Sequence, residues 1–160
     1  MNFAAAVQML SDAGVEFIII GGWSAILHGS AHITNDLDLF FSRKAENLRR
    51  LAQALAPYHP RLRDIPEGLP FVWDEATLRS ATILTLTTDL GMIDLLAEVT
   101  GLGPFEEVNA KSVTVEAFGR KVKTLDLKNL IKAKLAMSRD KDISVVRELE
   151  SLLEAEGPES

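Results

Sequence analysis

The feature that most constrains the fold is an apolar segment that carries two carboxylates, residues 36–41, with the sequence DLDLFF. Its composition is typical of a strand. Because strand side chains alternate, Asp36 and Asp38 are expected to point to one face and the leucine that follows each of them to the other. Two carboxylates that share a buried face repel each other, and at least one pKa rises. A divalent cation would compensate both charges, and oxygen ligands without cysteine favour Mg²⁺ or Mn²⁺.

A strand, a glycine turn and a short helix are predicted just before this segment. Residues 15–20 are apolar and β-branched enough for a central strand, Gly21 and Gly22 form the turn, and residues 23–28 form the helix. Backbone N–H groups at such a turn and helix start can bind phosphate. The hydroxyl of Ser24 could donate to that phosphate or cap the short helix. A phosphate-binding turn beside a metal site indicates nucleoside triphosphate chemistry.

The rest of the chain mixes helical and strand patterns. Apolar stripes predict four further helices, over residues 2–13, 44–56, 126–137 and 141–155. Alternating apolar and polar residues predict two hairpins, over residues 81–97 and 112–125. Residues 57–75 are rich in proline and glycine and are predicted to be a long connecting loop, a type of segment that is often functional. We therefore expect one α/β (α+β) domain over residues 1–156, a small mixed sheet flanked by helices, and a frayed tail at 157–160.

A third acid lies in the second strand of the first predicted hairpin. Asp94 is surrounded by apolar residues, and a lone carboxylate in an apolar strand is costly unless it is paired or bound to a metal. The ordinary explanation is a solvated hairpin residue. Glu98 is the alternative third acid, because it would lie on the same face if the strand continued.

Basic residues are concentrated between residues 119 and 142, which hold eight of the seventeen lysines and arginines. A cation cluster in an acidic protein can bind a triphosphate, and Lys134 and Arg139 are the candidates. A solvated helix face is the commoner explanation of such a charge run.

The glycine pair and the acidic pair together resemble a known signature. Gly21 and Gly22, followed after thirteen residues by DLD at 36–38, are similar to the signature of the DNA-polymerase-β-type nucleotidyltransferase superfamily. His28 and Gly29, residues 34–38 and residues 134–142 resemble its small prokaryotic branch, which includes minimal nucleotidyltransferases and AbiEii-type toxin–antitoxin partners. The resemblance implies a nucleotidyltransferase fold with C-terminal helices.

The same resemblance implies a reaction and a role for each candidate residue. The protein would transfer a nucleoside monophosphate from an NTP, with ATP as the expected donor, to the hydroxyl of an unknown acceptor (a protein, an RNA or a small molecule) and release pyrophosphate. The catalytic, metal-binding residues would be Asp36, Asp38 and Asp94. The nucleotide-binding residues would be Gly21, Gly22, Ser24, Lys134 and Arg139.

One position departs from that branch. His32 stands where the branch tends to carry an arginine, and a neutral imidazole stabilises a phosphate less than a guanidinium does. The alternative function is therefore a catalytically weak or inactive nucleotide-binding module, or a toxin–antitoxin component, on the same fold. His28 and His32 have the i, i+4 spacing of a zinc-binding helix, but Gly29 and Ser30 interrupt a helix there, so zinc is not expected.

The composition excludes several other classes. The 160 residues, 47% hydrophobic and 25% charged, suit one globular domain. The absence of cysteine excludes disulfides, thiolate metal sites and a cysteine nucleophile, and it is consistent with the cytoplasm. We expect neither a signal peptide nor a membrane span. The net charge of −6 makes unaided RNA binding unfavoured. A protein partner or a homodimer could supply acceptor specificity, because we do not expect a long accessory domain among these 160 residues.

Overall fold

The computed structural model describes residues 1–66, 68–137 and 143–157, which alternate between helices and strands. The helices in the described residues are α1 (Phe3–Asp12), α2 (Gly21–Leu27), α3 (Ala45–Leu55), α4 (Glu75–Ser80), α5 (Phe105–Lys111), α6 (Leu127–Met137) and α7 (Ile143–Glu156), and one 3₁₀ turn spans Ala56–Tyr58. The strands are β1 (Phe17–Ile20), β2 (Asp36–Phe41), β3 (Arg61–Leu62), β4 (Ile83–Thr88), β5 (Gly91–Leu96), β6 (Val113–Ala117) and β7 (Arg120–Thr124).

All seven of these strands belong to one mixed sheet with the order β3-β4-β5-β2-β1-β7-β6. Strand β2 pairs antiparallel with β1 and parallel with β5, and β1 pairs parallel with β7. The two predicted hairpins are β4–β5 and β6–β7, both antiparallel. The predicted fold class, a mixed sheet flanked by helices, is therefore confirmed.

Apolar side chains cover both faces of this sheet. On one face, α1, α3 and α4 pack against the alternate residues of β2, such as Leu37 and Leu39. On the other face, α2, α5, α6 and α7 pack against β1 and Phe40, whose ring meets that of Phe105 edge to face at a centroid distance of 5.3 Å. Asp36 and Asp38 share this second face with Phe40, as the strand alternation predicts.

Residues 57–75 contain more structure than the predicted loop. Strand β3 adds to the edge of the sheet, where Arg61 pairs with Thr87 and Leu62 pairs with Leu86. Helix α4 begins at Glu75, and the side chain of Asp74 caps it by accepting a hydrogen bond of 2.8 Å from the backbone N–H of Thr77. The prediction of a long connecting loop was wrong at β3, because the pairing that makes β3 a strand comes from β4, which lies beyond the segment.

The remaining predicted bounds differ little from the structure. Helix α2 begins at Gly21 rather than at Trp23, so both glycines belong to its first turn. Of the predicted tail, Gly157 is described, and residues 158–160 lie outside the described residues. None of the described helices has the length and apolar character that crossing a bilayer requires.

Candidate active site

Three carboxylates meet where β2 and β5 run side by side. In the parallel register Asp38 lies opposite Asp94, and Asp36 lies opposite Met92. Carboxylate oxygens of Asp36, Asp38 and Asp94 lie within 4.8 Å of one another. We call these three residues the acid cluster.

The alternative third acid does not join the acid cluster. The side chain of Glu98 lies beyond the end of β5, is 71% exposed, and has its Oε1 atom 3.9 Å from a guanidinium nitrogen of Arg43. The structure thus places Asp94, and not Glu98, beside Asp36 and Asp38.

The acid cluster is partly buried, and its environment changes the pKa of two of its members. Burial, together with the negative charges of Asp36 and Asp94, raises the pKa of Asp38 to about 7, although the positive charge of Lys134 opposes the rise. Burial also raises the pKa of Asp94, and the positive charge of Arg63 opposes that rise. Within the described part of the chain, the Oδ1 atom of Asp38 is buried without a hydrogen-bond partner. Three close carboxylates and an unpaired buried oxygen suit a hard divalent cation.

The two glycines allow the turn to approach this cluster. Gly21 has a φ of +66°, and a Cβ atom there would lie 2.3 Å from Oδ2 of Asp38. A Cβ atom on Gly22 would lie 2.7 Å from the Cβ atom of Thr34. Any side chain at Gly21 would therefore strain the backbone and displace the carboxylate of Asp38.

A cavity of about 340 Å³ opens over the acid cluster. Its other polar lining residues are His32, Thr34 and Lys134, and the rest of its wall consists of Gly22, Ala25, Ile33 and Val145. An adjoining groove of about 180 Å³ shares Asp38 and Lys134 with this cavity and has otherwise mostly apolar walls, among them Ile20, Ile83, Leu96, Leu130 and Met137. Arg139, the other predicted phosphate ligand, lies outside the described residues.

Comparison with known proteins assigns the fold. No protein-family model matches the sequence, and no curated protein matches it. Solved structures do match. The lincomycin-bound lincosamide antibiotic adenylyltransferase LnuA superposes with a TM-score of 0.60 at 15% identity, over 92% of this chain and 94% of LnuA. The chain has the nucleotidyltransferase fold.

Two further structures with this fold are similar to the chain. A candidate nucleotidyltransferase from Thermotoga maritima gives a TM-score of 0.54 at 15% identity, over 94% of this chain and 96% of that protein. An antigenic nucleotidyltransferase-like protein from Paracoccidioides brasiliensis gives 0.53 at 15% identity, over 95% of this chain and 73% of that protein. The predicted superfamily fold is confirmed. Membership of the AbiEii-type branch stays a prediction.

Ser24 lies inside this nucleotidyltransferase fold and does not line the cavity. It is fully buried, and its hydroxyl shares a 2.6 Å hydrogen bond with the hydroxyl of Thr124. The hydroxyl of Thr124 also lies 2.9 Å from the carbonyl oxygen of Ile19. In this structure Ser24 therefore ties α2 to β7, and its predicted contact with phosphate stays a prediction.

The two histidines have different surroundings. His32 lines the cavity, and its Nδ1 atom lies 3.1 Å from Oε1 of Glu148 on α7. Hydrogen bonds from Ser30 and from the backbone N–H of Ala31, together with His32, lower the pKa of Glu148. The Nε2 atom of His28 instead lies 2.6 Å from the carbonyl oxygen of Leu125. A carboxylate therefore accompanies His32, the position at which the sequence departs from the branch that it resembles.

One charged residue of the site, Arg63, was not predicted from the sequence. Arg63 follows β3, and its guanidinium forms an ion pair with Asp94 and lies 3.9 Å from Oδ2 of Asp36. The available signal was the run Arg61-Leu62-Arg63, whose alternation puts both arginines on one face of an extended segment. That signal needs the pairing of β3 with β4, which the local sequence does not reveal.

Proposed function

We propose that this protein is a metal-dependent nucleotidyltransferase that transfers a nucleoside monophosphate from an NTP to a hydroxyl group and releases pyrophosphate. The observation that carries the proposal is the acid cluster, Asp36, Asp38 and Asp94, which lines a cavity in the nucleotidyltransferase fold. Three carboxylates this close are costly in a protein that makes no use of a cation there.

The acid cluster would hold Mg²⁺ or Mn²⁺. The donor set consists of carboxylate oxygens, which suits hard cations, and the unpaired buried oxygen of Asp38 offers an unused ligand. When bound, the ion supplies Lewis-acid stabilisation of the phosphoryl oxygens and makes the acceptor hydroxyl more acidic.

The chain's own residues have distinct proposed tasks around this ion. The acceptor oxygen attacks the α-phosphorus of the NTP, the bond from that phosphorus to the bridging oxygen of the β-phosphate breaks, and pyrophosphate leaves. Asp94, whose burial raises its pKa, accepts the proton of the acceptor hydroxyl. Lys134 and Arg139 compensate charge on the leaving pyrophosphate, and backbone N–H groups at Gly21 and Gly22 bind phosphate oxygens.

The shape of the site suits two substrates of different polarity. The polar cavity of about 340 Å³ fits a polyphosphate, and the neighbouring groove of about 180 Å³ fits an apolar organic group. Asp38 and Lys134 border both, so the two substrates would meet at the acid cluster. LnuA is described as an adenylyltransferase of lincosamide antibiotics, which makes ATP the first donor and small hydroxylated molecules the first acceptors to test.

Calorimetric titration of ATP tests this proposal. It should be done with and without Mg²⁺, on the wild-type protein and on Asp36→Ala/Asp38→Ala. We expect Mg²⁺-dependent binding that the double variant loses. Asp12→Ala is the matched control, because Asp12 is exposed at the end of α1, is paired with Arg120, and lies on the other face of the sheet. An absence of ATP binding in every protein would overturn the proposal.

A second candidate function, a nucleotide-binding module without catalysis, is favoured by His32 and by the Arg63–Asp94 ion pair. Metal-independent ATP binding that is unchanged in the double variant would support this second function and argue against transfer chemistry.

A further inference from the structure

Arg63 lies in the same row of the sheet as two members of the acid cluster. Its backbone N–H donates a 2.8 Å hydrogen bond to the carbonyl oxygen of Thr85. Thr85 lies opposite Asp94, and Asp94 lies opposite Asp38. Side chains in one row across a sheet point to the same face, so the pairing of β3 and β4 aims Arg63 along the sheet at the acids.

The guanidinium is held at the acids by several contacts. It forms an ion pair with Asp94, lies 3.9 Å from Asp36, and donates a 3.2 Å hydrogen bond to the carbonyl oxygen of Leu86. The Arg63 side chain is 22% exposed and that of Asp94 is 17% exposed. The contact is therefore screened from solvent much more than a surface ion pair.

This guanidinium has an unmet hydrogen-bonding requirement. Among the described residues, the Nε atom of Arg63 is buried without a hydrogen-bond partner. Leaving a buried N–H unpaired is costly. The present position of Arg63 is thus favoured chiefly by the negative charge of the acid cluster, and a stronger positive charge at the acids would remove that advantage.

We propose that Arg63 is an internal counter-ion, which neutralises the acid cluster until a divalent cation arrives and which that cation must displace from Asp94. This inference rests on the proposed function, because it assumes that the acid cluster binds a cation. The same carboxylate oxygen of Asp94 cannot serve the guanidinium and the cation together, since two positive charges that close repel each other. Arg63 therefore lowers the affinity of the site for metal.

The structure offers space for the displaced side chain. Arg63 also lines a second cavity, of about 690 Å³, whose walls include Pro60, Phe71 and Thr87. The guanidinium can leave Asp94 toward this cavity while the backbone of Arg63 stays paired with Thr85. Lys134 contributes positive charge near Asp38, so the acid cluster retains one nearby lysine when Arg63 leaves.

The test is a titration with Mn²⁺ alone, in which electron paramagnetic resonance measures the free ion and no catalytic turnover is needed. A neighbouring opposite charge changes the proton affinity of a carboxylate by about 10- to 1,000-fold. By the same reasoning we expect Arg63→Gln to bind Mn²⁺ about tenfold more tightly than the wild-type protein, or more. A role in positioning Asp94 for the metal would instead weaken binding.

Arg61→Gln is the matched control. Arg61 lies two residues away, carries the same charge and is exposed. Its removal changes the net charge equally without taking a contact from the acids, so we expect Kd to change by less than about threefold. Arg63→Lys keeps the charge on a shorter side chain without the planar fork, and we expect its affinity for Mn²⁺ to lie between those of wild type and Arg63→Gln.

The outcomes separate this inference from the proposed function. If the wild type binds Mn²⁺ and Arg63→Gln binds equally or less tightly, the counter-ion role is wrong and the metal site stands. If no variant binds Mn²⁺, both are wrong. Thermal unfolding without metal checks that each variant folds. Should Arg63→Gln fail to fold, Arg63→Lys decides, and a Kd unchanged from wild type would overturn the inference.

Discussion

The two faces of β2 show how one short strand serves two opposed requirements. Leu37 and Leu39 are 0% and 1% exposed and pack under α1 and α3. On the other face Asp36 and Asp38 crowd together with Asp94, and one carboxylate oxygen has no partner among the described residues. The apolar face stabilises the fold, whereas the repulsion between the acids lowers its stability, and the apolar packing must offset that loss. Substitutions on one face at a time therefore separate residues that stabilise the fold from residues that are proposed to act in catalysis.

The largest effect is expected on the acid face and should concern activity alone. We expect Asp36→Ala to lower the rate of nucleotide transfer about 1,000-fold or more, because it removes a proposed metal ligand. Release of labelled pyrophosphate from ATP, in the presence of an identified acceptor, measures this. Unfolding in urea should show that Asp36→Ala is as stable as wild type or more so. A transfer rate within tenfold of wild type would contradict the role of Asp36.

On the apolar face of β2, a substitution should lower the stability of the fold, which Asp36→Ala is expected to leave unchanged or to raise. Leu39→Ala leaves a cavity between the sheet and its helices, and we expect the free energy of unfolding to fall by about 2–5 kcal/mol. Urea denaturation measures the loss. Val72→Ala is the control, because Val72 is 65% exposed and should change stability by less than about 0.5 kcal/mol. Equal effects of the two substitutions would mean that this face is not a tightly packed core.

The pH dependence of stability should reveal the cost of the acid face. The pKa of Asp38 is about 7 in the folded protein, above its ordinary value of 3.8. The stability contributed by the protonated acid is therefore complete below about pH 4 and is lost as the pH rises through 7. At pH 8 without metal, we expect Asp38→Asn to be about 2–4 kcal/mol more stable than wild type.

Thermal unfolding at several pH values checks this prediction about Asp38. The gain in stability from Asp38→Asn should shrink toward acid pH, where the wild-type carboxyl is itself neutral. Added Mg²⁺ should raise the Tm of the wild-type protein at pH 8 and leave that of Asp38→Asn little changed, because the variant loses a ligand. A variant less stable than wild type at pH 8 would show that the ionised carboxylate is not a cost.

The smallest effects are expected for Ser24, which is buried but does not line the cavity over the acid cluster. Its hydroxyl is buried and paired with Thr124, so we expect Ser24→Ala to lower the free energy of unfolding by about 1 kcal/mol. In the ATP titration we expect less than a twofold change in Kd. A clear loss of ATP affinity at unchanged stability would instead support the predicted contact of Ser24 with phosphate.

Local sequence was enough to predict the unit from β1 to β2. The apolar strand, the glycine pair and the alternating acids are each short-range signals, and the structure follows them closely. The choice of Asp94 as the third acid had two sources. An isolated carboxylate in an apolar strand needs a partner, and the resemblance to the superfamily implied a third metal-binding carboxylate. The parallel pairing of β2 and β5 then brings Asp94 beside Asp38.

Other parts of the site depend on contacts between distant segments, which local patterns do not encode. The position of Arg63 requires the register of β3 on β4, and a two-residue strand gives too short an alternation to predict it. The burial of Ser24 depends on Thr124, a hundred residues further along the chain. The two explanations of Ser24, helix cap or phosphate ligand, could not be separated without knowing where β7 lies.

The strand order also determines at which point in synthesis the open edges of β1 and β2 can be paired within the chain. Strand β2 takes its second neighbour from β5, and β1 takes its second neighbour from β7, close to the last two helices. A nascent chain that ends before β5 therefore carries two apolar strands with unpaired edges, which are sites of intermolecular pairing. The negative charges of Asp36 and Asp38 then discourage such strands from associating, because like charges on neighbouring chains repel each other.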